Sequence, residues 1–574
     1  MPLRISRNLV FRHLGIAAAV VAILAVLLAL VATYLPRSAA SPVKAAPLNK
    51  PFCTSRPALC TETRNPWNAQ GQYTGHDEPS LLFYSNKAGS GSSNLYQLTL
   101  PKDPPTPPAE DGSGGTWNFQ LHPAFWFGMA LCDDQSAPNP GGSGVGAQIP
   151  CTPDSDANIF TGTDPTKPNY LGLTPGTAFM EMQFYPPGWG NVGTGISCGP
   201  DNTQWCAALN IDSDSENENS GVLNNSACLN AAGQEYVNYA IITKSGQSQA
   251  PADPLRQTLA TFKTGPDTLE MNSGDALSVD MHDTAAGFQV VITDHTTGQT
   301  GSMTTSIANG FGHPLFQPTL SSCTDQPYAF HPMFSTSSPA TRVLWAAHSY
   351  NVAYSDEIGH FEYCTKINQS QQTCNQKNMT DPAGSDGDEA PCFTLPLVNA
   401  GNVSLTGCQG EDLDFDGPEY QPNWPGTTAN PATDAALHAS PILFSSPLFN
   451  GNRNYSQVAF ETDLPRIEGA DSSPNNACQR HVYNPSDPSP GAGCVDPPVG
   501  ASFYPIYTTG TTSAGACIWQ EGGALIPGTT NTFGGSSATE YGSLQEQIYP
   551  AAGGTTQGIY ETFHKTLGTN PCSA

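Results

Sequence analysis

Glycine and proline limit what this chain can build. Its 574 residues include 56 Gly and 52 Pro, about one position in five, against roughly one in eight in ordinary domains. Proline ends helices, and glycine supplies the backbone of tight turns. The runs between them are short, apolar and rich in aromatic rings: Leu81–Tyr84, Leu95–Leu100, Phe125–Leu131 and Phe179–Tyr185. Such runs, bounded by turn formers, read as strands. The predicted class is all-β, with β-sandwich or jelly-roll-like domains and long disulfide-stapled loops after an N-terminal transmembrane segment.

The clearest hairpin lies at 276–293. Leu277, Val279 and Met281 alternate with Ser278, Asp280 and His282, and Phe288, Val290 and Ile292 form the return strand. Period-two alternation with one polar face marks a sheet packed on one side. A second hairpin is predicted at 343–364, with Trp345–Tyr354 as one strand and Ile358–Cys364 as the other.

All 16 cysteines fall between Cys53 and Cys572. An even set beyond an export signal reads as a disulfide framework. Spacings such as Cys198–Cys206 and Cys364–Cys374 suit local staples, and no CxxC pair suggests zinc.

Arg4, Arg7 and Arg12 precede an unbroken apolar run from Leu14 to Thr33. A run of that length spans about 30 Å, one hydrocarbon core. The arginines would stay cytoplasmic and leave the bulk outside, a type II arrangement in the cell membrane. Ser38-Ala39-Ala40 also offers small residues for signal cleavage before Ser41, which would release a secreted protein. The predicted organisation is a signal anchor or signal peptide at 1–35 and a Pro/Ala-rich stalk at 36–75. A β-sandwich region follows at 76–364, then a Cys-rich acidic loop segment at 365–430 and a second β-rich domain at 431–574.

The formal net charge is −28. Such a surface repels phosphate backbones and anionic lipid, which excludes nucleic acid as a partner and leaves the N-terminal helix as the sole membrane contact. The sequence also lacks a GxSxG elbow, an HExxH pair and a phosphate-binding Gly-rich loop followed by Lys.

Three sets of residues carry candidate chemistry. Asp412, Asp414 and Asp416 precede Gly417 in the DxDxDG pattern of calcium loops, and Asn423 stands where a calcium-binding helix-loop-helix places its last ligand. Pro418 and Pro422 forbid the usual exiting helix, so the expected calcium would brace a loop. In the second hairpin, pairing Val352 with His360 would set His348, His360 and Glu362 on one face. Two imidazoles and a carboxylate there could hold a transition metal, with His331 as a further nitrogen. Third, Glu181, Gln183 and Tyr185 alternate with Met180, Met182 and Phe184 ahead of Trp189. A polar face with acid, amide and ring suits a polysaccharide or other glycan. Hydrolysis there would need a second carboxylate, for which Asp133 and Asp134 are candidates.

These readings favour an extracytoplasmic, membrane-tethered or secreted carbohydrate-binding protein. The alternatives are a metal-dependent extracellular enzyme using the His/Glu face and an inert, acidic surface protein. The grouping Glu461, Asp463 and Glu468 around Arg466 reads as a salt-bridge cluster.

Overall fold

The computed structural model describes, apart from short gaps, residues 80–103, 125–135, 177–187, 203–332, 442–463, 507–521, 543–550 and 557–573, with a few short strands elsewhere. The first strands are β1 (Ser80–Tyr84), β2 (Ser93–Thr99), β3 (Phe125–Cys132), β4 (Thr177–Tyr185), β5 (Cys206–Asp214) and β6 (Glu235–Ile241). Next come β7 (Ala276–Thr284), β8 (Gly287–Asp294), β9 (Thr300–Thr304), β10 (Gly312–Pro314), β11 (Asp325–Pro327), β12 (His331–Pro332) and β13 (Trp345–Ser349). The last are β14 (Leu443–Ser445), β15 (Gln457–Asp463), β16 (Tyr507–Thr511), β17 (Cys517–Glu521), β18 (Ser543–Pro550) and β19 (Gln557–Leu567). Two short helices, α1 (Ser226–Ala232) and α2 (Leu259–Phe262), flank β6 in sequence.

Among the described residues the strands form two large antiparallel sheets. The larger runs β6-β5-β4-β3-β13-β1-β15-β19-β18, with β12 beside β3, and the smaller runs β9-β8-β7-β2-β14-β17-β16. The all-β sandwich expected from the sequence is therefore present. The expected split between 76–364 and 431–574 does not separate the sheets. Strand β1 lies between β13 and β15, and β2 pairs with β7 and β14, so each sheet joins early and late strands.

The inner faces meet in one apolar core. Phe83 from β1, Phe127 and Met129 from β3, and Met180, Met182 and Phe184 from β4 are buried from the larger sheet. Tyr96 and Leu98 from β2, Val279 and Met281 from β7, Phe444 and Trp519 answer from the smaller one. Tyr96 stacks on Phe127 with centroids 4.0 Å apart, across the two sheets. Each large apolar side chain so buried stabilises the fold by about 1.5–3 kcal/mol.

The hairpin predicted at 276–293 is β7–β8, with Val279 opposite Ile292 and Met281 opposite Val290. Its strands run further than expected, to Thr284 opposite Gly287, leaving a two-residue bend. Gly287 takes φ +133°, and a Cβ there would lie 2.5 Å from the Thr305 carbonyl oxygen.

Of the hairpin predicted at 343–364, Trp345–Ser349 is a strand, β13, with His348 opposite Ser80 of β1 on one side and Trp126 of β3 on the other. Residues 350–363, which hold the predicted turn and the Val352–His360 pair, lie outside the described residues. Alternation had identified a strand but not its neighbours, because pairing partners far apart in sequence leave no local trace.

Four disulfides join described residues: Cys132–Cys151, Cys198–Cys206, Cys228–Cys323 and Cys517–Cys572. The expected Cys198–Cys206 staple is among them. Bridges of this number suit an oxidising compartment. The apolar run 14–33, the Ser41 cleavage position and the stalk lie outside the described residues. Among the described residues no helix is long and apolar enough to cross a membrane.

Candidate functional site

Strand β4 lies centrally between β3 and β5, which fixes the setting of its polar face. Glu181 is the cross-strand partner of Gly128 and of Asn210, and Gln183 of Trp126 and of Ala208. Direct cross-strand partners share a face. Glu181, Gln183, Tyr185 and Asn210 therefore stand together on the outer face of the larger sheet, with Met180, Met182 and Phe184 turned to the core.

The group is buried, not a solvated strand face. Glu181 keeps 8%, Gln183 7% and Asn210 4% of its surface accessible. Gln183 Nε2 donates to Glu181 Oε2 at 2.6 Å. The Gln183 side-chain carbonyl accepts from both the Tyr185 hydroxyl and Asn210 Nδ2. Burial pushes the Tyr185 hydroxyl well above its ordinary pKa, with the charges of Tyr239 and Glu181 adding to the rise. It therefore remains a proton donor.

One polar atom in this network is left unused. Asn210 Oδ1 is buried with no hydrogen-bond partner among the described residues. An unmet buried acceptor costs roughly 1–3 kcal/mol, so such a group calls for a reason.

Rings surround the network. Trp126 and Phe179 meet edge to face at 5.5 Å beside Gly128. A Cβ on Gly128 would lie 2.5 Å from Trp126 Cζ3 and 2.9 Å from Phe179 Cζ, so this position admits no side chain as packed. On the other flank, Tyr185, Tyr239, Ala208, Ile241, Phe262 and the Cys198–Cys206 bridge form a second apolar cluster.

Asp133 is not the second carboxylate that hydrolysis at Glu181 would need. It is engaged instead by His313, whose Nδ1 lies 2.6 Å from Asp133 Oδ1, both side chains fully buried. Gln326 Nε2 stands 2.8 Å from His313 Nε2, and the Tyr328 ring stacks on the imidazole at 3.9 Å. Burial alone would raise the Asp133 pKa. The His313 charge and bonds from His313, the Gln135 backbone and Ser213 reverse that and hold it below the ordinary value. Asp133, Asp134 and His313 present possible ligand atoms within 4.8 Å of one another. Both ring nitrogens of His313 are already engaged, which makes this a satisfied pair and not an open metal site. His331 is likewise engaged, by Asp283 at 2.8 Å.

Of the other predicted ligands, His348 lies on β13, whereas His360 and Glu362 fall outside the described residues. So do Asp412, Asp414, Asp416, Asn423 and Trp189. The expected meeting of His348 with His360 and Glu362 thus falls outside the described residues, while His348 itself stands opposite Ser80 and Trp126. Asn210 was missed altogether. Its strand alternates Asn210 and Asp212 with Leu209 and Ile211, a legible polar face, but the register that carries it to Glu181 is not.

No protein-family model matches the chain, and no curated protein matches it. Among solved structures, Scytalido-glutamic peptidase bound to a peptide-based transition-state analogue matches with 8% identity and TM-score 0.19, covering 78% of this chain and 97% of that one. An exolytic PL7 alginate lyase from Zobellia galactanivorans matches with 6% identity and TM-score 0.20, covering 49% of this chain and 65% of that one. Likenesses this shallow assign no activity here.

Proposed function

We propose that this chain is an extracellular glycan-binding protein, anchored or released through its N-terminal apolar run, and that the ligand meets Glu181, Gln183 and Asn210. The observation that carries the reading is the unmet acceptor Asn210 Oδ1. A sugar hydroxyl donates the bond that it calls for. The disulfides and the acidic, weakly charged composition agree with an exported protein.

Affinity electrophoresis through gels containing neutral polysaccharides tests this. Asn210→Ala and Gln183→Ala are expected to abolish retardation while leaving the melting temperature within a few degrees of wild type. Unchanged retardation in both variants sinks the reading.

A second reading, hydrolysis, is favoured by one feature. Asp212 is the partner of Phe179 and so stands diagonally from Glu181 on the same face. Diagonal partners are about 7–8 Å apart at Cα, near enough for two carboxyl groups to act on one glycosidic bond. Release of reducing ends that disappears in both Glu181→Gln and Asp212→Asn supports it. Binding without any release refutes it.

A further inference from the structure

Glu181 decides which end of the Asn210 amide is presented, and it does so through Gln183. A carboxylate only accepts, so the Gln183 amide turns its nitrogen to Glu181, where Nε2 lies 2.6 Å from Oε2. The Gln183 side-chain oxygen is then an acceptor, and it takes bonds from the Tyr185 hydroxyl and from Asn210 Nδ2. Asn210 has thus turned its nitrogen to Gln183 and leaves Oδ1, the buried atom with no partner among the described residues. The unmet atom is an acceptor by necessity. Reversing the two amides would set the Gln183 oxygen against the Glu181 carboxylate.

The register fixes what surrounds that atom. Asn210 is directly opposite Glu181, Gln183 is opposite Ala208 on one side of it, and Asp212 is opposite Phe179 on the other. With Nδ2 turned toward Gln183, Oδ1 faces the Asp212 side. Direct partners have Cβ atoms about 4.5–5.5 Å apart, and residues two along a strand are about 7 Å apart. The acceptor therefore lies between two carboxylates, Glu181 across the ladder and Asp212 along the strand. Glu181 and Asn210 are buried, whereas Asp212 is only half-buried, so approach from solvent is on its side.

The missing partner of Oδ1 is a donor. A donor with positive charge gains the attraction of both carboxylates as well as the bond. A primary ammonium offers three N–H groups on one small atom, as many as the acceptor side chains Asn210, Glu181 and Asp212. A guanidinium is a wide planar fork, better matched to a single carboxylate. An acidic sugar would meet an acceptor and two negative charges. At longer range the chain attracts polycations, with 49 Asp and Glu against 21 Lys and Arg and a net charge of −28.

We propose that the glycan held at this site carries free amino groups, as a deacetylated hexosamine polymer does, and that Asn210 Oδ1 receives one protonated amine whose charge Glu181 and Asp212 balance. The inference rests on the glycan-binding reading and adds the ligand's charge and the group that is read. A neutral sugar answers the same oxygen through a hydroxyl and gains less. Glu181 both orients the two amides and attracts the amine.

Titration calorimetry of the full chain with tetramers of β-linked glucosamine, N-acetylglucosamine and glucose tests it, at a slightly acid pH that keeps the amine protonated. The glucosamine tetramer is expected to bind at least about tenfold tighter than either neutral one, as a charge-assisted bond does relative to a neutral one. Raising the pH until the amine is neutral should erase that ratio. Glu181→Gln and Asp212→Asn should each shrink it severalfold, with thermal midpoints as the folding control. A ratio near one in the unaltered chain overturns the amine and spares the glycan reading. So does a ratio that both variants preserve. Tetralysine bound as tightly as the glucosamine tetramer shows charge read without sugar, and overturns the proposal too. Binding of no tetramer also overturns it, and retardation in the gels of neutral polysaccharide then decides the glycan reading separately.

Discussion

Asp133 Oδ1 and His313 Nδ1 meet at 2.6 Å although 180 residues separate them in sequence. The contact ties the end of β3 to β10, and neither side chain reaches solvent. Removing the imidazole strands a buried carboxylate, which costs about 3–5 kcal/mol. Urea denaturation of His313→Ala should show a loss of that size. His313→Gln, which can still donate to Asp133, should lose less. Equal losses would mean that ring packing on Tyr328, not the ion pair, holds this region.

Asp253 answers pH in the opposite sense. Its carboxylate accepts from the Tyr236 hydroxyl at 2.6 Å and from Arg256, which also reaches Asp325. Burial, then the bond and negative charge of Asp325, push its pKa up to about 7, against the bond from Tyr236. A folded pKa above the unfolded one means that the stabilisation is full below about pH 4 and drains away as pH rises through about 7. Melting temperature followed from pH 4 to 8 should fall between about pH 4 and about pH 7 and level off above. In Asp253→Asn the fall should shrink, and an unchanged profile would remove Asp253 as its source.

Gly128 tests how tightly the site is packed. The Cβ of Gly128→Ala would press on Trp126 and Phe179 and stand 3.0 Å from the Met180 carbonyl oxygen. Overpacking of this kind costs about 1–3 kcal/mol. Because Gly128 is opposite Glu181, the same substitution should also weaken polysaccharide retention. Wild-type stability together with wild-type retention would show that both rings can move aside.

The Cys228–Cys323 bridge closes a stretch with a sequence separation of 95. Loops of that size give about 4–5 kcal/mol in the chain-entropy account. Cys228→Ser with Cys323→Ser should therefore lower stability more than opening Cys198–Cys206, whose separation is 8. Thermal unfolding of the two double variants checks the order.

Local features were legible in the sequence, and long-range pairings were not. Alternation gave the β7–β8 hairpin and the opposed faces of β4, because both are set by period two within one strand. The Cys198–Cys206 bridge followed from short spacing. That β13 lies between β1 and β3, far away in sequence, left no local trace around His348. Asp133 was weighed with Asp134 as a second carboxylate for Glu181, but its turn toward His313 depends on β10. Asn210 shows the limit most clearly: its residue type and alternation are visible, whereas its meeting with Gln183 depends on the register of β4 against β5.

The interleaving of early and late strands bears on how the protein is made. Strand β1 leaves the ribosome ahead of every other strand of the larger sheet, yet one of its edges waits for β15, and β15 in turn waits for β19. Neither large sheet can close until residues beyond 500 have been synthesised. Slow, non-local closure of this kind leaves apolar strand edges uncovered for most of translation. A chain threaded through a membrane as it is made would pass the pore before it could fold, and would then meet oxidant and its last strands on the same side. The topology therefore suits export as an open thread, with folding and bridge formation completed together afterwards.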